Sequence, residues 1–176
     1  MVNILSPNIS KEEVARYYSK SELGNEKCRE EVKDFDLSNI DRMDNETLKN
    51  LVKALSDCRK NIIYPVIYAS SGKFSLCEWK SSELELTDIN SKIKEELSKV
   101  NCKLEEFSEV VRNRKLEILK EFEDDGREIQ NEKLIIRKFP NSVNGRVIDG
   151  CHRAVVLYQR GSKTFEGYTF FGSVHQ

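Results

Sequence analysis

Apolar residues recur at helical spacing in two stretches of the first sixty residues. Ser10-Lys11-Glu12-Glu13 has the order of a capping box, in which a serine hydroxyl and a glutamate carboxylate each bond the other's backbone N–H. This box predicts a short helix to about residue 21, with Val14, Tyr17 and Tyr18 as its apolar edge. Asp44-Asn45 precedes a more clearly amphipathic helix, whose apolar positions are Leu48, Leu51, Val52 and Leu55. We therefore expect residues 1–60 to form an N-terminal helical segment that covers a sheet or binds a partner protein.

The pattern becomes strand-like after residue 60. Residues 62–68 are β-branched and aromatic, residues 70–72 have turn composition, and residues 73–79 predict a returning strand. Pro65 favours a sheet edge or a bulge for the first of these strands. Helical spacing resumes over residues 87–100 and 103–122, and Gly126 ends it.

The tail of the chain alternates strand and helix patterns. Residues 133–139 and 146–148 are predicted strands, and the segment between them has the Asn and Gly content of a turn. Residues 150–160 are a predicted helix with Gly161 as its C-cap, and residues 164–171 are a predicted final strand. Together these elements predict an α+β fold, with a small mixed sheet and flanking helices over residues 61–176.

Charge and cysteine content narrow the classes of function. The 176 residues carry 29 basic and 30 acidic side chains, so no overall field attracts nucleic acid. No apolar run approaches the roughly 20 residues that span a bilayer, and the N-terminus does not resemble a signal peptide. The five cysteines include no CxxC pair, which leaves a zinc or thioredoxin-type site unsupported. We expect a soluble, cytoplasmic protein with free thiols and no metal-binding set of side chains, bound neither to DNA nor to a membrane.

The strongest chemical signal is Asp149-Gly150-Cys151-His152-Arg153, which we call the 149–153 turn. It lies between a predicted strand and the start of a predicted helix. Backbone N–H groups at a helix N-terminus lack partners inside the helix, and the helix dipole is positive there, so such a turn favours an anion. A thiol, an imidazole and a guanidinium are therefore expected beside an anion site.

Each residue of this turn has a functional interpretation and a structural alternative. Arg153 offers a planar fork for phosphate, or else it pairs with Asp149. His152 donates to a phosphate oxygen or moves a proton, or else it bonds the backbone at the helix start. Cys151 is an activated nucleophile, or else a small side chain tolerated in a tight turn. Asp149 holds Mg²⁺ or orients His152, or else caps the helix, whereas Gly150 lets the backbone approach a phosphate closely.

The order of these pieces resembles the ParB/sulfiredoxin superfamily, the fold shared by chromosome-partition proteins and sulfiredoxins. The similar pieces are a helix ending at Gly126, the strands near residues 134–139 and 147–148, the 149–153 turn with its helix, and the last strand. The stretch Gly150-Cys151-His152-Arg153 resembles the sulfiredoxin turn letter for letter, whereas Asp149 is more similar to the kinase and partition types. The resemblance implies that residues 150–153 hold the phosphates of a nucleotide.

The resemblance implies one leading function and two alternatives. The leading function, by similarity to free serine kinases, is phosphoryl transfer from ATP or another nucleotide, with Mg²⁺, to a small hydroxyl-bearing acceptor. Asp149 and His152 are then candidate catalytic residues, and Cys151 is a third candidate for the thiol chemistry of the first alternative. The first alternative is a sulfiredoxin-like, ATP-dependent thiol enzyme that uses Cys151. The second is a non-catalytic nucleotide-sensing or protein-interaction module whose N-terminal helices bind a partner.

A kinase of this type also needs an upstream acid. Glu78, Glu83 and Glu85 follow or end the expected strand of residues 73–79 and are the candidates, although spacing singles out none of them. Trp79 either stacks on a nucleotide base or belongs to the core. The short stretch after Gly161 leads us to expect no DNA-binding helices.

Overall fold

A computed structural model describes residues 3–68, 78–85, 133–138, 146–150, 153, 154, 157 and 162–171. Within these ranges, five strands form one mixed sheet in the order β1-β2-β5-β3-β4. The strands are β1 (Asn3–Ile9), β2 (Glu78–Glu85), β3 (Leu134–Lys138), β4 (Arg146–Asp149) and β5 (Thr164–Phe171). The helices are α1 (Lys11–Glu22), α2 (Glu26–Glu31), α3 (Asn45–Arg59) and α4 (Ile63–Tyr68), and a 3-10 helix covers Leu37–Arg42. The expected α+β class and mixed sheet are confirmed.

Strand β5 occupies the centre of the sheet. It pairs antiparallel with β2 along its whole length and parallel with β3. The outer pairs, β1 with β2 and β3 with β4, are both antiparallel. Parallel pairing needs a crossover connection, and the chain between β4 and β5 includes the helical residues 153, 154 and 157. The three strands predicted in the tail are thus confirmed, and they bring the end of β4 to one edge of the sheet.

Local capping explains where the N-terminal helices begin. The Ser10 side chain accepts from the Glu13 N–H at 3.1 Å, so the predicted start of α1 is confirmed. The Asp44 carboxylate accepts from the N–H groups of Glu46 and Thr47 at 3.0 Å each, which confirms the predicted start of α3. Asn25 caps α2 in the same way.

The N-terminal helices pack against one face of the sheet. The predicted apolar stripe of α3 is fully buried, and α1 contributes Val14, Ala15 and Tyr18 to the same cluster. The sheet contributes Ile135, Tyr168, Phe170 and Trp79, whose ring lies 5.0 Å from that of Phe170. The expected covering of a sheet by helices is therefore seen, and Trp79 is a core residue. Side chains from both predicted segments, residues 1–60 and 61–176, share this one cluster.

The strand predicted over residues 62–68 is wrong, because this segment forms helix α4. Its β-branched composition favours a strand, but its buried residues Ile63, Val66 and Ile67 have the i, i+3, i+4 spacing of a helix face. The Asn61 side chain accepts from the Ile63 N–H at 3.1 Å and starts the helix. Pro65 lies in the first turn, where a missing N–H costs nothing.

Strand β1 was not anticipated by the sequence, which predicted only helices in the first sixty residues. Its residues are mostly exposed, and its pairing with β2 contains two register irregularities. Pro7 is tolerated because β1 is an edge strand, where one side makes no ladder bonds. Such a strand is stabilised mainly by its pairing with β2, and the local sequence pattern does not show that pairing.

The described end of the strand predicted over residues 73–79 belongs to a strand that continues beyond the predicted end. The observed strand β2 runs over Glu78–Glu85, and residues 73–77 lie outside the described ranges. Eight residue pairs join β2 to β5, so pairing with the central strand determines its position. The helices predicted over residues 87–100 and 103–122 also lie outside the described residues. Where the structure describes the chain, no helix is both long and apolar enough to cross a bilayer.

Candidate functional site

The 149–153 turn begins where β4 ends at the sheet edge. Gly150 adopts a φ of +93°, and its carbonyl accepts from the Ala154 N–H at 2.9 Å, so a helical turn opens directly after the strand. A Cβ on Gly150 would lie 2.7 Å from Leu134 Cδ2 and 3.1 Å from Arg153 Nη2. Both the backbone conformation and the available space therefore require glycine at this position.

The side chains of Asp149 and Tyr17 hold Arg153 in this turn. Its Nη2 forms an ion pair with the Asp149 carboxylate four residues earlier, and its Nη1 donates to the Tyr17 hydroxyl at 3.1 Å. The guanidinium also lies 6.0 Å from the centre of the Tyr17 ring. Only 10% of the Arg153 side chain and 13% of the Asp149 side chain are exposed. The pairing foreseen as the structural alternative is thus formed, and it fixes the direction of the guanidinium.

Tyr17 links helix α1 to the turn and to β3. Its hydroxyl donates to the Lys133 carbonyl and accepts from the Lys133 N–H, both at 2.7 Å. Together with the bond from Arg153, this uses the one donor and two acceptor positions of a hydroxyl. The sequence marked Tyr17 as part of an apolar helix edge. Its role was missed because 136 residues separate it from Arg153.

A second tyrosine stands beside the first. The rings of Tyr17 and Tyr168 meet edge to face with centres 5.3 Å apart, and the Tyr168 hydroxyl donates to the Glu13 carboxylate at 3.0 Å. The Lys133 ammonium lies 4.6 Å from the centre of the Tyr168 ring. Burial and the Glu13 carboxylate raise the pKa of Tyr168 well above its usual range, so this phenol stays protonated at neutral pH.

The charge of Asp149 also affects the pKa values of two groups in the N-terminal helices, Tyr18 and Arg59. Burial and the Glu22 carboxylate raise the pKa of Tyr18 strongly, and Asp149 adds to this effect. Burial lowers the pKa of Arg59, but the charge of the Glu22 carboxylate, with a smaller contribution from Asp149, outweighs it and leaves that pKa raised. Asp149 therefore acts on two groups of the N-terminal helices as well as on Arg153.

The remaining predicted residues fall in two groups. Cys151 and His152 lie outside the described residues, so their roles stay predictions. Glu78, Glu83 and Glu85 all lie within β2, which corrects the position expected for Glu83 and Glu85 beyond the end of the strand. Strands β5 and β3 stand between β2 and β4, a backbone separation of roughly 14 Å at about 4.8 Å per strand. These acids are therefore not neighbours of the 149–153 turn.

The described part of the turn does not fit a magnesium ion held by protein carboxylates. Asp149 is paired with Arg153, and among the described residues no three His, Cys, Asp or Glu side chains are close enough to share a metal ion. Mg²⁺ is usually bound by one or two carboxylates together with substrate phosphates. Any Mg²⁺ would accordingly arrive with a nucleotide.

Comparisons with protein-family models, with characterised proteins and with solved structures find no significant match to this chain. The interpretation of the site therefore rests on its geometry and on the resemblance of the 149–153 turn.

Proposed function

We propose that the 149–153 turn binds the phosphates of a nucleotide, and that the protein is a phosphotransferase of the ParB/sulfiredoxin type acting on a small hydroxyl-bearing acceptor. The observation that carries this proposal is the passage from β4 through Gly150, with φ +93°, into a helical turn that contains Arg153. A strand, a glycine without Cβ and a helix start are the elements that phosphate-binding turns share.

The order of elements around the turn also supports the proposal. Strands β3 and β4 are antiparallel, helical residues follow, and β5 returns parallel to β3. The same succession underlies the resemblance to the ParB/sulfiredoxin fold. It brings the turn to the end of a strand at one edge of the sheet.

Arg153 is oriented before any ligand arrives. Asp149 and Tyr17 already hold its guanidinium, so binding a phosphate costs little further side-chain entropy. A planar guanidinium suits phosphate oxygens better than an ammonium does. In the proposed complex the nucleotide phosphates meet Arg153 and the backbone N–H groups of the helix start, and catalysis rests on positioning and charge neutralisation.

The test of binding is thermal unfolding with millimolar ATP, ADP, CTP or GTP and Mg²⁺. A ligand at 100 times its Kd stabilises a protein by about 2.7 kcal/mol, which raises Tm by on the order of 5–10 °C for a chain of this size. Arg153→Lys, which keeps the charge but loses the fork, should abolish most of the shift. Arg29→Lys is the matched control, because Arg29 binds only the Leu23 carbonyl in its described contacts. If no nucleotide shifts Tm, the nucleotide proposal is wrong.

A second candidate is a non-catalytic nucleotide-sensing module. The ion pair between Asp149 and Arg153 favours it, because a carboxylate held by arginine is a poor base. The separation of Glu78, Glu83 and Glu85 from the turn also favours the non-catalytic module. A nucleotide that binds but is not consumed across a panel of hydroxyl acceptors would select this candidate. A phosphotransferase consumes it, and Cys151→Ser should leave that activity intact.

A further inference from the structure

Cys28 of α2 and Cys58 of α3 lie side by side although 30 residues separate them in sequence. Their sulfur atoms are 3.1 Å apart, and both thiols are free. A disulfide bond is about 2.05 Å long, so the two sulfurs need to approach by only about 1 Å. The cysteine spacing in the sequence did not predict this pair, because the packing of α2 against α3 brings Cys28 and Cys58 together.

We propose that Cys28 and Cys58 form a redox-active dithiol that a hydroperoxide converts to a disulfide linking α2 to α3. This site is independent of the function proposed for the 149–153 turn. It makes oxidation a specific, reversible modification of the N-terminal helices.

Burial assigns different roles to the two sulfurs. Cys58 is half-buried, so it is the more accessible of the two cysteines to a small oxidant, whereas Cys28 is fully buried. Burial, the hydrogen bond with Cys58 and the Glu22 carboxylate raise the pKa of Cys28 to about 12 against a weaker opposing effect of Arg59. Cys28 is therefore a protonated thiol at neutral pH, and Cys58 is the sulfur that attacks the oxidant.

The first step is attack of the Cys58 thiolate on one oxygen of hydrogen peroxide. The O–O bond breaks, the departing hydroxide takes a proton to become water, and Cys58 becomes a sulfenic acid. The Cys28 sulfur then attacks the Cys58 sulfur, the S–O bond breaks, and the departing hydroxide takes the Cys28 proton as a second water. One peroxide is reduced and two thiols are oxidised to one disulfide.

The Glu22 carboxylate lies beside the Cys28 thiol. The Cys28 thiol points at the Glu22 carboxylate with a sulfur–oxygen distance of 4.0 Å. Arg59, the residue after Cys58, binds the same carboxylate at 2.9 Å, and only 7% of the Glu22 side chain is exposed. This carboxylate is therefore fixed beside the sulfur that must lose its proton in the second step.

The experiment uses a protein in which Cys77, Cys102 and Cys151 are replaced by Ser, so that Cys28 and Cys58 are its only cysteines. After hydrogen peroxide treatment, we expect the mass of the intact protein to fall by that of two hydrogen atoms. No thiol should react with maleimide in urea, and proteolysis should give one fragment that joins Cys28 to Cys58. Dithiothreitol should reverse all three results. Tm should rise on oxidation, because the bond restricts the unfolded chain.

Cys58→Ser in the same background is the control and should lose the joined fragment completely. The wild-type protein is mapped in parallel, which keeps the test valid if the triple variant does not fold. The proposal is overturned if peroxide leaves both thiols reactive in folded wild-type protein. It is equally overturned if oxidation stops at a sulfenic or sulfinic acid on Cys58, or if Cys28 pairs with another cysteine.

Discussion

Tyr17 is the residue that joins the N-terminal helices to the candidate site. Its hydroxyl binds the backbone of Lys133 and the guanidinium of Arg153, and its ring contacts Tyr168. Arg153 is in turn paired with Asp149. A side chain that the sequence assigned to an apolar helix edge thus orients the one arginine of the 149–153 turn.

Replacing Tyr17 by Phe should test this link. The change keeps the ring but removes three hydrogen bonds, and it leaves polar groups of Lys133 and Arg153 without that partner in a half-buried place. We expect a loss of about 1–3 kcal/mol in the free energy of unfolding, measured with urea. Tyr64→Phe is the matched control, because the Tyr64 ring packs on Tyr68 in the helical layer, and it should cost less. Equal losses in the two variants would contradict the role given to Tyr17.

Replacing Gly150 by Ala should be among the most damaging small changes in the chain. A left-handed backbone costs a non-glycine residue roughly 1–2 kcal/mol, and the added Cβ would meet Leu134 Cδ2 at 2.7 Å. We expect a total loss of about 2–4 kcal/mol in urea unfolding. Gly24→Ala is the control, because Gly24 is described without a positive φ. A loss below 1 kcal/mol for Gly150→Ala would show that the turn does not hold this conformation.

At the scale of elements, the sequence predicted those helices and strands whose ends are marked by capping or turn residues in the local sequence. Helices α1 and α3 were predicted because Ser10 and Asp44 cap them and their apolar residues have helical spacing. Strands β3, β4 and β5 were predicted because short apolar runs lie between turn residues. Of the candidate site, the sequence predicted the strand–glycine–helix turn and the pairing of Asp149 with Arg153 as an alternative.

The failures share a physical cause, which is dependence on distant parts of the chain. Strand β1 exists through its pairing with β2, and the position of β2 is set by β5. The segment Ile63–Tyr68 has the composition of a strand, but burial of Ile63, Val66 and Ile67 against the helical layer selects a helix. Contacts of Tyr17 with Arg153, and of Cys28 with Cys58, join residues that no local pattern relates.

Helix α3 offers a quantitative test of capping. The Asp44 carboxylate accepts from the Glu46 and Thr47 N–H groups and from the Thr47 hydroxyl. Asp44→Ala should therefore cost about 1 kcal/mol of stability in urea unfolding. Asp57→Ala, near the other end of α3, removes a carboxylate from the negative end of the helix dipole and should cost nothing. Equal costs would contradict the capping role.

At the scale of the whole molecule, one cluster of buried side chains unites the helices and the sheet. It includes the phenol of Tyr18, the thiol of Cys28 and the phenol of Tyr168, whose pKa values are all raised, chiefly by burial. Their neutral forms are thus part of the folded core.

This burial predicts a loss of stability in alkali. Burial raises the pKa of Cys28 from its usual value near 9 in the unfolded chain to about 12 in the folded protein, so the unfolded state loses its proton first. The stabilising contribution is complete below pH 9 and disappears as pH rises towards 12, and the two tyrosines add to the decline above about pH 10. The urea midpoint of reduced protein should fall steadily over this range. Cys28→Ala should flatten the first part of the fall, and an unchanged slope would contradict this account.

The measurement that tests the central claim most directly is a titration of ¹⁵N-labelled protein with Mg²⁺–ATP and Mg²⁺–ADP, followed by amide NMR. If the 149–153 turn binds nucleotide phosphates, the N–H signals of Gly150 and Ala154 should shift saturably. Arg153→Lys should weaken that response at least tenfold, a loss of about 1.4 kcal/mol in binding. If both signals stay fixed while others saturate, or if no signal moves, the turn is not the nucleotide site.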